Sequence, residues 1–213
     1  YLDDLFERHK DVLEEIDRIQ NSEKFRANIV NPDCPEYNQP KYVLINYLKS
    51  FFCCEAIERF GLHNSSVAWI DFGYLRNKKQ LPICLRWDYA FAPKINLFCL
   101  LPPQPHLDLV DIINHNRVYI QGCHIVAPAT MWPLMARLME SALHQLMDNE
   151  LIDDDQTLLL LSALAEPEHF ELHMAQITKP LDWFFIFRKY NLGEGKINIA
   201  QRLRFWFKTI GRK

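Results

Sequence analysis

Apolar residues recur at helical spacing in four parts of the chain. Residues 2–20 and 42–60 carry apolar side chains three and four positions apart, and residues 131–148 and 155–165 continue the pattern. Such spacing is typical of helices that bury one face, and 42–60 is apolar on most of its faces. The sequence therefore predicts helices over these four stretches, the second of them well buried.

Short runs rich in β-branched and aromatic residues lie between the predicted helices. They are residues 66–71, 81–87, 95–101, 117–127 and 169–174. Runs of this length and composition are typical of buried strands. Because such strands alternate with helices, the sequence predicts a single α/β domain with a central mixed sheet flanked by helices.

The composition excludes several functional classes. The 213 residues are 49% hydrophobic and 24% charged, with a net charge of -3. A protein that binds nucleic acid over much of its surface is usually basic, so we expect no nucleic-acid partner. The chain has six glycines and no Gly-rich phosphate loop. Its six cysteines include no CxxC pair, and we interpret them as reduced thiols of a cytoplasmic protein.

Polar residues at the ends of predicted elements are candidates for chemistry. Asp71 ends the first predicted strand, where ligands bind in open α/β sheets. Gly122, next to Gln121, interrupts a strand, which often marks a close approach by a ligand or by backbone. Asp155 and Gln156 begin a predicted helix. Each position also has a structural interpretation: a turn cap at Asp71, a β-bulge at Gly122, and a solvated helix cap formed by the run of three aspartates that ends at Asp155.

The C-terminal segment differs from the rest of the chain in charge. Residues 196–213 include six basic side chains and no acidic one, and apolar residues follow one side of the segment. A basic amphipathic helix of this kind suits an anionic membrane surface, although its apolar side could instead pack on the domain. We therefore divide the chain into a domain over 1–195 and a basic helix over 196–213.

Four sequence blocks, in this order, resemble the HtrL/YibB family of bacterial proteins. They are PEYNQPKYVLINYLKSFFCCEAI at 35–57, WIDFGYLRN at 69–77, QGCHIVAPATMW at 121–132 and DDDQTLLLL at 153–161. The resemblance extends over residues 25–190 and implies an association with genes for lipopolysaccharide or other surface glycans. The family in turn resembles glycosyltransferases of the GT-A type.

That resemblance implies a function and a role for each candidate residue. The protein would transfer a sugar from a nucleotide-sugar donor to a glycan or glycolipid acceptor, in the cytoplasm or at the inner face of the cytoplasmic membrane. Asp71 would bind the donor and a Mn²⁺ or Mg²⁺ ion, as the first acid of a DxD-like motif. Gln121 and Gly122 would lie beside the donor sugar. Asp155 would act as the catalytic carboxylate near the acceptor, and Gln156 would bind substrate.

Two departures from the GT-A pattern favour an alternative. The residues at 71–73 are Asp-Phe-Gly, without the second acid, and residues 1–40 contain no predicted first strand. The resemblance therefore predicts an incomplete GT-A domain that lacks its first nucleotide-binding segment. The alternative function is that of a non-catalytic accessory protein, which would bind partners through helices at 2–20 and 197–210.

Arg76 and Lys94 are candidates for neutralising the phosphate groups of the donor, on the basis of charge and position alone.

Overall fold

Four strands form one mixed sheet in the computed structural model, which describes residues 2–73, 89–104 and 106–174. The strands are β1 (Ser66–Ile70), β2 (Ile95–Cys99), β3 (Ile120–Pro128) and β4 (Phe170–Met174). Their order across the sheet is β1-β3-β2-β4, with β3 antiparallel to both of its neighbours and β4 parallel to β2. This architecture confirms the predicted α/β class and the mixed sheet.

Among the described helices, six precede β1 and three follow β2. They are α1 (Leu2–Arg8), α2 (Lys10–Gln20), α3 (Glu23–Arg26), α4 (Pro35–Asn38), α5 (Pro40–Tyr47), α6 (Lys49–Phe60), α7 (Leu109–Asn114), α8 (Trp132–Asp148) and α9 (Asp155–Ala165). Helix α6 contacts β1, α9 contacts β3, and α8 packs against both α6 and α9. These three helices share the main core with the sheet and cover one of its faces.

The main core lies between the helices and that face of the sheet. It takes Ile95 and Leu97 from β2 and Ile125 from β3, all of which are almost completely buried. Side chains alternate between the two faces of a strand, so Phe98 and Val126 point to the opposite face and form a smaller apolar cluster there. β2 and most of β3 are therefore buried on both sides, which explains their nearly continuous apolar sequence.

Two of the predicted helices are each divided into a pair. The first separates into α1 and α2 at His9, and the second separates into α5 and α6 at Leu48. Apolar periodicity continues through both junctions, so spacing alone could not locate them. The second division matters for the site, because it places Lys49 in the first turn of α6.

Two predicted elements lie outside the described residues: the strand at 81–87 and the basic helix at 196–213. Of the helices that the structure describes, none is long and apolar enough to cross a membrane.

Candidate functional site

Three residues from separate elements surround the side-chain nitrogen of a buried lysine. Lys49 Nζ lies 2.7 Å from Asp155 Oδ2, 3.0 Å from Asp71 Oδ1 and 3.2 Å from the carbonyl oxygen of Gly122. A lysine ammonium has three N–H donors, and these three oxygens can accept all of them. We call Lys49, Asp71, Gly122 and Asp155 the Lys49 cluster.

The fold brings the cluster together at one end of β1. Asp71 directly follows β1, and its backbone N–H donates to the carbonyl of Cys123 at 3.0 Å, which extends the β1–β3 ladder by one residue. Asp71 therefore lies next to Gly122, the neighbour of Cys123 in β3. Asp155 is the first residue of α9, and Lys49 is the first residue of α6. The site thus forms where the ends of three elements meet the interior of β3.

Gly122 is needed because Asp155 packs directly on the backbone of β3. A Cβ atom at this position would lie under 3.0 Å from both oxygens and the carboxyl carbon of Asp155. The pairing register of β3 with β2 also shifts in this part of the strand, between the Leu97–Ile125 and Cys99–Ile120 pairs. The sequence predicted a close approach or a bulge at this glycine, and the structure shows a close approach beside a register shift. The approaching group is a carboxylate of the protein itself.

Trp69 holds the carboxylate of Asp71 in place. Its indole N–H donates to Asp71 Oδ1 at 2.6 Å, and its ring stacks on Phe52 with the ring centroids 6.2 Å apart. Lys49 Nζ is 5.8 Å from the centre of the same ring. The Asp71 side chain is 35% exposed, whereas those of Lys49 and Asp155 are 4% and 2% exposed. Asp71 is thus the cluster's carboxylate that faces solvent.

Charge attraction keeps the buried lysine protonated. Burial by itself lowers the pKa of Lys49, but the carboxylates of Asp155 and Asp71 outweigh burial, so the pKa lies above its ordinary value. Burial raises the pKa of Asp155, and the nearby Asp71 adds to that increase, while Lys49 opposes it. At neutral pH the cluster therefore contains an ammonium held between two acids.

The two aspartates before Asp155 are also buried, which corrects the interpretation of this run as a solvated helix cap. Asp153 Oδ2 accepts a hydrogen bond from Thr157 Oγ1 at 2.6 Å, and Asp154 Oδ1 accepts from the backbone N–H of Gln156 at 2.9 Å. Asp154 is thus the N-cap of α9. Burial raises the pKa of Asp153 to about 7 and that of Asp154 well above its ordinary value. Helix α9 therefore begins with a buried cap, and the aspartates of this run lie inside the protein.

The structure brings together three of the five predicted site residues. Asp71, Gly122 and Asp155 belong to the cluster, whereas Gln121 is completely buried in β3 beside Gly122. Gln156 is half-buried, and its backbone N–H contacts Asp154. The substrate-binding and catalytic roles of all five residues remain predictions.

One of the two basic residues proposed to neutralise phosphate, Lys94, lies away from the cluster. Lys94 precedes β2 at the end where Asn96 pairs with Val126, while Asp71 lies beside Cys123. This register places Lys94 about five residues farther along β3, or about 17 Å at the usual rise per residue. Arg76 lies outside the described residues.

A divalent metal ion at Asp71 also remains a prediction. In the part of the chain that the structure describes, no group of three or more His, Cys, Asp or Glu side chains is arranged to hold a metal ion. Asp71 and Asp155 approach each other, but Lys49 bridges them. A metal ion between these two carboxylates would have to take the place of the ammonium.

Sequence reasoning missed Lys49 as a site residue. Its only local signal is a single lysine within the apolar run at 42–52, where a charged side chain has to find a partner once the helix is buried.

Cys123 was likewise not predicted as a site residue, although its thiol lies close enough to the cluster for the charges of the cluster to affect its pKa. Burial, with a further contribution from Asp71, raises the pKa of Cys123 to about 12. The thiol is therefore protonated at neutral pH.

Comparison with known proteins confirms the family resemblance. The family model described as "Bacterial protein of unknown function (HtrL_YibB)" matches residues 1–192. The chain is also 30% identical over 197 residues to "Protein HtrL" of Escherichia coli (strain K12), in an alignment covering 89% of this chain and 69% of the E. coli protein. No solved structure matches the chain. Since the family match extends over almost the whole chain, the protein belongs to the HtrL/YibB family.

Proposed function

We propose that the protein transfers a sugar from a nucleotide-sugar donor to a hydroxyl group of a glycan or glycolipid, with the Lys49 cluster at the reaction site. The observation that carries the proposal is the carboxylate of Asp71. It stands at the end of a strand of an α/β sheet, partly exposed and held by Trp69 and Lys49. Carboxylates held in this way at strand ends are suited to binding a ligand in a fixed orientation.

The proposed reaction requires little covalent chemistry from the protein. The bond between the anomeric carbon of the sugar and the phosphate oxygen breaks, and the acceptor oxygen forms the new bond to that carbon. The acceptor proton passes to a carboxylate or to water, and the nucleoside diphosphate leaves with the bonding electrons. The protein has to orient both substrates and accept the proton.

The cluster suggests how the two acids would divide this work. Asp71 has an exposed surface, so we assign it contact with the substrate. Asp155 was predicted from the sequence to be the catalytic carboxylate. Because its side chain is buried and bound to Lys49, we assign it the task of holding Lys49, and through Lys49 the carboxylate of Asp71. In this proposal Gln121 and Gly122 form the strand backbone on which the site is built.

The proposed place of action is the inner face of the cytoplasmic membrane. The support is the basic segment at 196–213, which lies outside the described residues but has six basic side chains and no acid. Such a segment is attracted to anionic lipid, where a lipid-linked acceptor would be found.

A panel of nucleotide sugars tests the proposal. Each is mixed with the wild-type protein, and the melting temperature and the release of nucleoside diphosphate are measured. A true donor at 100 times its dissociation constant stabilises the folded state by about 2.7 kcal/mol, which raises the melting temperature by about 5–10 °C for a chain of this size. Asp71→Asn should reduce diphosphate release at least tenfold. Asp148→Asn, at an exposed position, is the matched control. If no donor is hydrolysed or bound, the proposal is wrong.

One observation favours the second candidate function, that of a non-catalytic accessory protein. All three donors of Lys49 have acceptors within the cluster, which is sufficient to explain Asp71 and Asp155 as parts of a structural ion-pair network. Under this alternative, Asp71→Asn lowers the stability of the protein, and no nucleotide sugar changes the melting temperature of the wild type. The same panel therefore separates the two candidates.

A further inference from the structure

We infer that the Lys49 cluster is a cation site whose permanent occupant is the ammonium group of Lys49, so that Asp71 works without a divalent metal ion. Three oxygen atoms surround Nζ. Two are carboxylate oxygens, from Asp71 and Asp155, and one is the backbone carbonyl oxygen of Gly122. Anionic and carbonyl oxygens are the ligands that hard cations such as Mg²⁺, Mn²⁺ and Ca²⁺ prefer.

The dimensions of the cluster fit an ammonium group. The three oxygens lie 2.7–3.2 Å from Nζ, which are hydrogen-bond distances. Mg²⁺ requires oxygens at about 2.0–2.1 Å in near-octahedral geometry. The Lys49 side chain fills the space between the acids, and it is itself 4% exposed. A divalent ion could not share this position, because two cations would then repel each other in a buried setting.

The surroundings hold the three oxygens near one another without any added ion. Trp69 donates to Asp71 Oδ1, the absence of a side chain at Gly122 lets Asp155 lie on the backbone of β3, and Asp155 belongs to the first turn of α9. The ligands therefore come from a strand end, a strand interior and a helix start, all held by the core. The attraction between Lys49 and the acids also keeps the lysine charged, as a permanent occupant requires.

Mn²⁺ binding reports which cation the site holds and needs no sugar donor. Binding of Mn²⁺ is measured by electron paramagnetic resonance of the free ion, on the full chain, for the wild type, Asp71→Asn, Lys49→Met, and the double variant with both substitutions. Met has a similar length to Lys and lacks the charge. Removing the ammonium should open its position to a divalent ion, and the same three oxygens would bind that ion by moving about 0.6–1.1 Å inward from the distances at which they surround Nζ.

The expected pattern has two parts. The wild type and Asp71→Asn bind Mn²⁺ equally, since any binding elsewhere in the chain is common to both. Lys49→Met gains one Mn²⁺ per chain, with an affinity at least about tenfold above that of the wild type, and the double variant with Asp71→Asn loses this gain. Mn²⁺ should also raise the melting temperature of Lys49→Met, because an ion that binds only the folded state stabilises it.

Two results would overturn the inference. The first is a wild-type Mn²⁺ site that disappears in Asp71→Asn, which would show that metal and Lys49 act together. The second is a folded Lys49→Met protein that gains no Mn²⁺, which would show that the oxygens do not form a cation site. If Lys49→Met does not fold, the comparison of the wild type with Asp71→Asn still decides whether Asp71 holds a metal. A negative sugar-donor panel would leave these results unaffected, so failure of the proposed function can be told apart from failure of this inference.

Discussion

Replacing Lys49 with methionine should destabilise the protein strongly, because it leaves a buried carboxylate without its partner. The pair between Lys49 and Asp155 has an N–O distance of 2.7 Å, and its side chains are 4% and 2% exposed. Removing one member of such a pair costs the attraction and leaves the other charge desolvated. The Asp71 carboxylate is 35% exposed, so water can replace the lysine there.

The expected magnitude follows from the burial of Asp155. Breaking a buried ion pair by removing one partner typically costs about 3–5 kcal/mol, whereas exposed pairs contribute about 0–1 kcal/mol. We therefore expect Lys49→Met to lower the free energy of unfolding by about 3–5 kcal/mol. For a chain of this length, each kcal/mol corresponds to about 2–4 °C, so the melting temperature should fall by about 6–20 °C.

A double-mutant cycle tests whether the cause is the pair itself. Urea unfolding followed by circular dichroism is measured for Lys49→Met, Asp155→Asn and the double variant. Because the double variant has neither charge, its loss of stability should be smaller than the sum of the single losses by about 1–3 kcal/mol. Lys10→Met is the matched control, since Lys10 pairs with Glu14 at 3.8 Å with both side chains more than half exposed. It should cost less than about 0.5 kcal/mol.

Two results would refute this reasoning. One is a loss of less than about 1 kcal/mol for Lys49→Met, the range expected of an exposed pair. The other is strict additivity of Lys49→Met and Asp155→Asn, which would mean that the two residues affect stability independently.

Three further predictions concern neighbouring residues. Gly122→Ala should lower stability by about 1–3 kcal/mol in urea unfolding, because its Cβ overlaps the Asp155 carboxylate. Trp69→Phe should cost about 1–2 kcal/mol, because the ring is kept but the hydrogen bond to Asp71 is lost. Burial raises the pKa of Asp153 from 3.8 to about 7. Between about pH 4 and 7 the folded state therefore keeps a proton on Asp153 that the unfolded state releases. This contribution to the free energy of unfolding is complete below about pH 4 and is lost as the pH rises through about 7. Asp153→Asn should flatten this pH dependence when urea midpoints are compared between pH 4 and 8.

Each of these predictions has its own control. Gly61 has φ of 63°, and a Cβ atom there would meet no atom of the described residues within 4 Å, so Gly61→Ala reports backbone strain without a clash. A Gly122→Ala effect that is unchanged when Asp155 is shortened to alanine would contradict the overlap. The Trp69→Phe effect should shrink in an Asp71→Asn background, and an undiminished effect would exclude the hydrogen bond as its cause. Asp148→Asn, at an exposed position, should leave the pH profile unchanged. An equal change in that variant would exclude Asp153 as the source.

Local sequence patterns were sufficient to predict most of the strands and covering helices that the structure describes. β2, α8 and α9 begin within one residue of the predicted positions, and the alternation of strands and helices predicted the α/β class. These properties depend on neighbouring residues, since periodicity and capping act over a few positions along the chain. The candidate acids at 71 and 155 were found from their places at the ends of elements, together with the family resemblance.

The arrangement of the site depends on contacts that local patterns do not contain. Lys49 is separated from Gly122 by 73 positions and from Asp155 by 106, and their meeting depends on how α6, β3 and α9 pack. The aspartates at 153–155 look like a solvated cap in the sequence, but packing of α9 into the core buries them. Burial then decides their chemistry, because a carboxylate removed from water either finds a cation or holds its proton. The sequence by itself determined which acids stand at the ends of elements, and only the tertiary structure decided that one of them binds a buried lysine.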